Sequence, residues 1–201
     1  INSVIMIIIC EKGGAFLDEK SIILRAQDGD DESFSLLVEK YKDAVFTVCY
    51  AVLKDYHNAN DAAQDTFIKA YKNIKKFNFD SSFQTYITRI AINTCKDEFR
   101  KMSRQNGNLS IDSDENLCEI KDTSDTPEKA LEKKERRDAV RNAIASLPQK
   151  YREVIVLRDI NGISYEEIAK ILKSSQGTVK SRINRARSAL KEILQKDGTF
   201  L

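Results

Sequence analysis

Apolar residues recur at helical spacing through most of the chain. In the first hundred residues there are three stretches in which apolar residues recur every three or four positions. The polar segments GDDES, KDYHNAND and KKFNFDSS interrupt this pattern. The apolar positions are Ile22, Ile23, Ala26, Phe34, Leu37, Val38, Tyr41, Val45, Val48, Cys49, Val52, Ala62, Ala63, Phe67, Ala70, Tyr71, Ile74, Phe83, Ile87, Ile90, Ala91 and Thr94. The pattern predicts three or four packed helices between residues 17 and 104.

The pattern changes between residues 105 and 127. From Asn106 to Glu128 there are seven acidic residues against a single base, Lys121, and apolar residues are sparse and aperiodic. Such a composition buries too little apolar surface to offset the entropy lost on ordering. The segment is therefore predicted to be a flexible acidic linker.

A second helical block runs from residue 128 to residue 196. Its first helix carries Leu131, Ala139, Val140, Ala143, Ile144 and Leu147 and is expected to end at Pro148. The next carries Tyr151, Val154, Ile155 and Leu157, and Asn161-Gly162 supplies a left-handed stop. The sequence thus predicts an all-α fold of two small helical domains joined by the acidic linker, with residues 1–16 as a disordered N-terminal extension.

The second block contains the signature of a helix-turn-helix. Ser164-Tyr165-Glu166-Glu167 has the form of a capping box and opens a helix that buries Ile168, Ile171 and Leu172. After a short turn at Lys173-Ser174, a helix from about Ser175 to Leu194 places Val179, Ile183, Ala186 and Leu190 on one apolar face. Gly177, in its first turn, is expected to let the two helices or a phosphate approach closely. The opposite face carries Thr178, Lys180, Ser181, Asn184, Arg185 and Ser188.

Charge supports a nucleic-acid role for this last helix. Seven bases lie between Lys173 and Lys196, against the single acid Glu192, an asymmetry that the net charge of +2 conceals. A polar and basic face near a helix N-terminus suits the major groove, where flanking bases can bind phosphates. The alternative is a solvated basic helix in an ordinary bundle.

The first block offers two further candidate surfaces. Asp61, Gln64 and Asp65 share one predicted helix face, which is either a docking surface or an ordinary solvated face. The segment from Lys75 to Arg104 interleaves aromatic and basic residues, as single-stranded DNA binding requires. Phe83 and Ile87 are expected to point inward, whereas the candidates for exposure are Phe77, Phe79 and Tyr86.

The chain has no recognisable catalytic or cofactor motif. Its four cysteines form no CxxC pair, there is one histidine, and neither a glycine-rich phosphate loop nor a nucleophile elbow occurs. We therefore expect no metal, no cofactor and no enzymatic activity. The apolar run Val4–Cys10 is too short to span a bilayer and lacks the features of a signal peptide. We expect a cytoplasmic protein without membrane insertion, and a misplaced start or a fragment at the N-terminus.

Four segments, in order, resemble the extracytoplasmic-function (ECF) family of RNA polymerase sigma factors. They are DAAQDTFIKAY, FQTYITRIAINT, SLPQKYREVIVLRDINGISYEEIAKIL and GTVKSRINRARSAL. The resemblance covers the chain from about Lys20 to Leu194, with the linker in the matching place. It implies a subunit that binds core RNA polymerase and promoter DNA, with residues 17–104 as sigma region 2 and residues 128–196 as sigma region 4.

The resemblance also implies residue roles. Docking on the clamp helices of the polymerase is assigned to Asp61, Gln64, Asp65 and Phe67. Minus-ten recognition is assigned to Phe77, Tyr86, Arg89, Asn93, Lys96 and Arg100. Within this set, Phe77 and Asn93 would form a pocket that holds an extruded base. Arg89, Lys96 and Arg100 would hold backbone phosphates. Lys180, Ser181, Asn184 and Arg185 would read the minus-35 major groove, supplemented by Arg158, Tyr165, Glu166 and Thr178. The acidic linker would thread toward the active-site and RNA-exit channels, and an anti-sigma factor is expected as a regulatory partner.

Three positions depart from the family pattern. Tyr86 stands where tryptophan is common, Asn60 where glutamate is common, and Ser175-Gln176 where proline and a small apolar residue often begin the recognition helix. The last departure is expected to shift how that helix begins, and with it promoter preference. A stand-alone helix-turn-helix repressor or activator is the alternative function; such a protein would bind duplex DNA tightly without polymerase.

Overall fold

The computed structural model describes residues 18–105 and 138–196, and within these ranges it contains helices and turns but no strand. The helices of the first half are α1 (Glu19–Gln27), α2 (Asp31–Leu53), α3 (Tyr56–Asn73), a 3-10 turn (Ile74–Lys76) and α4 (Phe83–Gln105). Those of the second half are α5 (residues 138–146), α6 (Gln149–Ile155) with a π-helical extension (Val156–Ile160), α7 (Tyr165–Leu172) and α8 (Gln176–Lys196). The predicted all-α class is confirmed, while the predicted linker and N-terminal extension lie outside the described residues.

Aspartate caps separate the helices of the first half. The Asp30 side chain accepts hydrogen bonds from the backbone amides of Glu32 and Ser33 at the start of α2, and Asp55 accepts one from the amide of Asn58 at 2.7 Å. The break between α2 and α3 is therefore only two residues, left-handed Lys54 and Asp55. The longer polar break predicted at KDYHNAND is wrong, because a good N-cap lets polar residues begin a helix.

Helices α2, α3 and α4 pack around the core of the first half. As predicted, Leu37, Val48, Ala62, Ala70 and Ile87 are buried. Gln27, at the end of α1, donates from Nε2 to the carbonyl oxygens of Ile74 (2.8 Å) and Phe77 (2.7 Å). These two bonds fix the start of the loop that leads into α4.

The second half follows its predicted turns. Helix α5 ends just before Pro148, and Gly162 supplies the left-handed stop at φ 69°. The capping box of α7 is present: the amide of Glu167 donates to the Ser164 hydroxyl at 3.2 Å, and the Glu167 carboxylate accepts from the amide of Ser164 at 3.3 Å. Left-handed Lys173 then turns the chain into α8.

The two halves are packed against each other. Their buried apolar side chains form one continuous cluster, in which α2 contacts α6 and its π-helical extension, and α4 contacts α7. Arg152 of α6 lies at this junction with only 4% of its surface exposed. Within residues 18–105 and 138–196, no helix is long and apolar enough to cross a membrane.

Candidate DNA-binding and polymerase-binding surfaces

Helix α8 presents a basic face opposite its buried face. Val179, Ile183 and Ala186 are fully buried. The side chains predicted to enter the major groove, Lys180, Ser181, Asn184 and Arg185, are all exposed. Successive members of the buried set are about one turn of 3.6 residues apart, and the exposed residues lie between them on the opposite face, so one face anchors the helix while the other is free for a ligand.

Ser175 caps α8. Its hydroxyl oxygen accepts a hydrogen bond from the backbone amide of Thr178 at 3.1 Å and lies 2.9 Å from the Thr178 hydroxyl. This is the arrangement of an ordinary serine N-cap. The Ser175-Gln176 sequence thus starts the helix without disturbing it, and the half-buried Thr178 is held by the cap.

Gly177 does not bring two helices together. A β-carbon added there would meet only the hydroxyl oxygen of Ser175, at 4.0 Å. The expectation of a close helix–helix approach at this glycine is therefore wrong. The open space around it remains compatible with a phosphate.

The residues predicted to supplement the recognition face have structural contacts of their own. The guanidinium of Arg158 lies 4.8 Å from the centre of the Tyr165 ring and donates to the carbonyl oxygen of Ile163 at 3.0 Å. Glu166 pairs with Lys170 at 2.8 Å on the surface of α7. Both Arg158 and Tyr165 are half-buried, so their contacts brace the start of α7.

A pocket of about 330 Å³ lies where the loop before α4 meets helix α7. It brings together three of the predicted minus-ten residues, Phe77, Tyr86 and Arg89. Its remaining walls come from the loop and from α7: Lys76, Asn78, Asp80, Ser81, Glu167 and Lys170. The volume is at the lower end of the range for small-molecule sites. The lining combines two aromatic rings, an amide and three bases with the carboxylates of Asp80 and Glu167, and its aromatic, amide and basic groups suit a nucleobase with its phosphate.

The loop orients its two phenylalanines oppositely. Phe77 is 5% exposed, whereas Phe79, at φ 63°, is 38% exposed. A left-handed conformation is costly for a residue with an aromatic side chain, and such strain concentrates at functional sites. The expected exposure of Phe79 is confirmed and that of Phe77 is wrong, because Phe77 packs against Phe83 and Tyr86 with ring centres 5.7 and 5.0 Å apart.

The hydroxyl of Tyr86 is buried and has no hydrogen-bond partner among the described residues. Burial raises its pKa, so the group is a neutral donor and acceptor at physiological pH. Most buried hydroxyls find a partner within the protein. The unpaired hydroxyl of Tyr86 is thus an exception, and it belongs to a residue that lines the pocket.

Beyond the pocket, the basic residues of α4 follow one face of the helix. Arg89, Asn93, Lys96 and Arg100 are spaced by four, three and four positions. Arg100 pairs with Asp97 at 3.2 Å, but both side chains are more than half exposed, so the pair is weak and solvated. Asn93 is exposed and is not part of the pocket lining. The structure thus places Phe77 in the pocket and Asn93 further along α4.

Helix α3 presents the face predicted to dock a partner. Asp61, Gln64 and Asp65 are all exposed on the side opposite the buried Ala62 and Ala70. Phe67 is half-buried against the core, whereas Ile68 next to it is 51% exposed. The sequence reasoning missed Ile68; its spacing of four from Gln64 is the signal that places it on the acidic face.

Two of the four cysteines, Cys49 and Cys95, are buried in the first half and are not disulfide-bonded. The neighbouring Cys95 thiol and burial both raise the pKa of Cys49, which keeps it protonated and unreactive. These two cysteines behave as the small apolar core residues that the sequence predicts, whereas Cys10 and Cys118 lie outside the described residues.

Family models match both halves of the chain. Sigma-70 region 2 matches residues 37–105, and sigma-70 region 4 matches residues 137–190. Two similar solved structures are those of CnrH in complex with the cytosolic domain of CnrY (27% identity, TM-score 0.60, 90% of this chain and 99% of that chain) and of the sigma factor RpoE from Bartonella quintana in complex with the anti-sigma factor NepR (25% identity, TM-score 0.66, 82% and 98%).

Curated relatives are similar over nearly their full length. The RNA polymerase sigma-H factor of Pseudomonas aeruginosa is 36% identical over 182 residues, which cover 88% of this chain and 94% of that protein. The ECF RNA polymerase sigma factor SigW of Bacillus subtilis is 37% identical over 180 residues, covering 88% and 96%. Because the similarity spans both halves, in the order and places where the helices described above lie, the chain belongs to the ECF family of sigma factors, which direct RNA polymerase to promoters.

Proposed function

We propose that this sigma factor divides promoter recognition between its two halves. In this proposal residues 17–104 serve as region 2, which docks polymerase and reads the minus-ten element. Residues 128–196 serve as region 4, which reads the minus-35 duplex, and residues 105–127 link them. The observation that carries the proposal is that one chain presents three separate surfaces. They are an aromatic-lined pocket with basic residues beside α4, the exposed basic face of α8, and an acidic face on α3.

The pocket beside α4 is the proposed site of base capture. An extruded base would stack against the aromatic wall around Phe77, and its polar edge would reach the unpaired hydroxyl of Tyr86. Arg89 at the pocket margin, with Lys96 and Arg100 further along α4, would hold the phosphates of the unpaired strand. Asn93 would contact the strand between these bases, outside the pocket.

Helix α8 is the proposed reader of the minus-35 duplex. Its exposed face carries donors suited to base edges, in Lys180, Asn184 and Arg185, and the hydroxyl of Ser181. Glu166 and Thr178 would make supplementary contacts near its N-terminus. Arg158 and Tyr165 would act by bracing α7 through their mutual stacking.

The acidic face of α3 is the proposed polymerase contact. Asp61, Gln64 and Asp65 supply carboxylate and amide groups, and exposed Ile68 supplies the apolar anchor that such a contact needs. Phe67 would support this face from beneath, since it is packed against the core.

We further propose that the protein is an initiation subunit without catalytic activity of its own, and that nucleotide addition belongs to the polymerase. Since its partners are polymerase and promoter DNA, it would act in the cytoplasm. The similar RpoE structure is a complex with an anti-sigma factor, which supports the proposal that an anti-sigma factor also restrains this chain.

Run-off transcription on genomic fragments with core polymerase tests the proposal. The chain should direct initiation at a specific set of promoters, and Arg185→Ala should reduce it at those with a strong minus-35 element, by about 1–3 kcal/mol for a lost bidentate base contact. Lys191→Ala is the matched control, because it removes an exposed base from the same helix, six residues beyond the last residue proposed to meet base edges. Tight operator binding by the free chain that core polymerase does not alter would instead favour a repressor.

A further inference from the structure

Phe79 is held in a backbone conformation that its side chain disfavours. Its φ of 63° lies in the left-handed region, which glycine adopts freely and a residue with a β-carbon does not. The side chain of Asn78 donates a hydrogen bond to the Asp80 carboxylate across this residue and so fixes the turn. The loop thus keeps one aromatic residue under strain, and strain that is kept in this way occurs mainly at sites that meet a ligand.

The ring of Phe79 lies toward α1 rather than in the pocket. Phe77 lines the pocket and Phe79 does not. The ammonium of Lys20, in the first turn of α1, lies 5.7 Å from the centre of the Phe79 ring. Gln27, at the other end of α1, holds the loop through its two bonds to backbone carbonyls. Helix α1 therefore runs beside the loop and places Lys20 next to Phe79.

Both side chains are open to solvent. Phe79 is 38% exposed, although its ring centre lies only 4.9 Å from that of Phe77. Lys20 is exposed, and within residues 18–105 and 138–196 it makes no salt bridge. A cation–π contact at such an exposed site is weak. The contact between Phe79 and Lys20 therefore does not explain why the strained conformation is kept.

The surroundings of Phe79 suit a nucleic acid. Lys75 and Lys76 are exposed at the start of the loop, which gives three lysines with Lys20. The two nearby carboxylates, Asp18 and Asp80, each accept a hydrogen bond within the protein. Single-stranded DNA binds where bases can stack on an aromatic ring and phosphates can meet cations. The ring and the lysines supply both contacts.

We infer that Phe79 is a second stacking platform for the unpaired promoter strand, and that Lys20 holds the phosphate of the nucleotide stacked there. This role rests on the proposed function, which places one captured base against Phe77. Because Phe79 is adjacent to Phe77 but outside the pocket lining, the base on Phe79 belongs to a neighbouring nucleotide. Every base can stack on a ring, so the second position adds affinity without a strong preference for one base.

Phe79 can be replaced without damage to the fold. Phe79→Gly removes the ring and also relieves the backbone, since glycine adopts a positive φ without steric cost. A loss of DNA binding in this variant therefore cannot be ascribed to unfolding. Phe79→Tyr is the matched control, because it keeps an aromatic ring at the same place. At Lys20, Lys20→Met removes the charge and keeps an unbranched side chain, with Lys20→Arg as its control.

The experiment measures the affinity of the full chain, bound to core polymerase, for a fork-junction DNA taken from a promoter recovered by run-off transcription. Each unpaired nucleotide of the minus-ten strand is replaced in turn by an abasic one. Phe79→Gly should weaken binding of the intact fork about tenfold, as expected for one stacked base, and Phe79→Tyr should not. One abasic position should weaken the parent by the same factor and have no further effect on Phe79→Gly, because that base has already lost its platform.

The phosphate contact of Lys20 is tested by the salt dependence of the same binding reaction. The logarithm of the association constant falls linearly with the logarithm of the salt concentration, by about 0.7 for each phosphate of a single strand that the protein neutralises. Lys20→Met should make the slope shallower by about 0.7, and Lys20→Arg should keep the slope of the parent. An unchanged slope in Lys20→Met overturns the role of Lys20.

The remaining outcomes separate the second platform from the function on which it rests. The captured base is the position whose abasic replacement couples to Tyr86→Phe. If Phe79→Gly couples to that position, Phe79 only supports Phe77, and if it couples to none, Phe79 touches no base. Either result overturns the inference and leaves the minus-ten assignment intact, as does weaker binding of Phe79→Gly to core polymerase without DNA. A parent that tolerates abasic replacement at every position refutes the minus-ten assignment itself, and the second platform with it.

Discussion

The unpaired hydroxyl of Tyr86 leads to an unusual prediction, a substitution that stabilises the protein while it impairs function. The hydroxyl is buried without a partner, so folding removes its hydrogen bonds to water and returns nothing. The penalty for a buried unsatisfied polar group is about 1–3 kcal/mol. Tyr86→Phe keeps the ring contacts to Phe77 and Phe83 and should therefore raise the free energy of unfolding by about 1 kcal/mol.

Tyr41 provides the matched control, since it belongs to the same aromatic cluster but has a satisfied hydroxyl. Its ring centre lies 5.4 Å from that of Phe83, and its hydroxyl lies 3.0 Å from both carboxylate oxygens of Glu19. Tyr41→Phe removes a charge-assisted bond and should lower the free energy of unfolding by about 1.5 kcal/mol. Urea unfolding followed by far-ultraviolet circular dichroism measures both variants.

The functional half of the prediction uses the same Tyr86→Phe protein. If the Tyr86 hydroxyl forms a hydrogen bond with the edge of a DNA base, the variant should form open complexes less well despite its greater stability. Such a trade-off between stability and activity is common where a functional group is strained or unsatisfied in the free protein. Open complexes are scored by permanganate reactivity of the melted strand. If Tyr86→Phe is destabilised as much as Tyr41→Phe, the Tyr86 hydroxyl has a hydrogen-bond partner in the folded protein. If the variant melts promoters as well as the parent does, the hydroxyl has no role in promoter opening.

Three further outcomes are expected. Asn93→Ala should leave polymerase binding intact but reduce permanganate reactivity of the minus-ten strand; a normal bubble excludes its proposed contact. Ile68→Ser should weaken polymerase binding about tenfold, measured by titration against core enzyme, whereas Leu24→Ser, similarly exposed on α1, should not. Burial raises the pKa of Tyr41 and Tyr86 in the folded protein, and Glu19 adds to the effect at Tyr41. Because the unfolded chain loses these protons first, the free energy of unfolding should fall as pH rises above about 10. The fall should be smaller in Tyr41→Phe.

The faces of the helices could be predicted because helical periodicity decides them. Val179 and Ile183 are buried while Lys180 and Asn184 are exposed, and Asp61 is exposed opposite Ala62 for the same reason. Each residue turns the helix by about 100°, so a run of five or six residues is enough to separate inside from outside. Phe67 and Ile68 show the limit of predicting exposure from periodicity. They are adjacent in sequence and both apolar, so only the orientation of the whole helix decides which of them is exposed to solvent.

The loop before α4 could not be predicted in this way, because it has no period. Phe77 and Phe79 are two positions apart, and a phenylalanine side chain is equally suited to the core and to a surface on which bases stack. The left-handed backbone at Phe79 turns that ring outward, while Gln27 holds the carbonyl oxygen of Phe77 in place from α1. The partner that decides the orientation lies 50 residues away, beyond the reach of any local pattern.

Arg152 illustrates the same limit at the level of the whole chain. In sequence it is a base on a helix of mixed polarity, and such residues are mostly solvated. In the structure its guanidinium meets Ala51, 101 residues earlier. Burial of a charge is tolerated here because three carbonyl oxygens accept from it. Helix propensity and spacing describe each half separately and contain no information about how the halves dock.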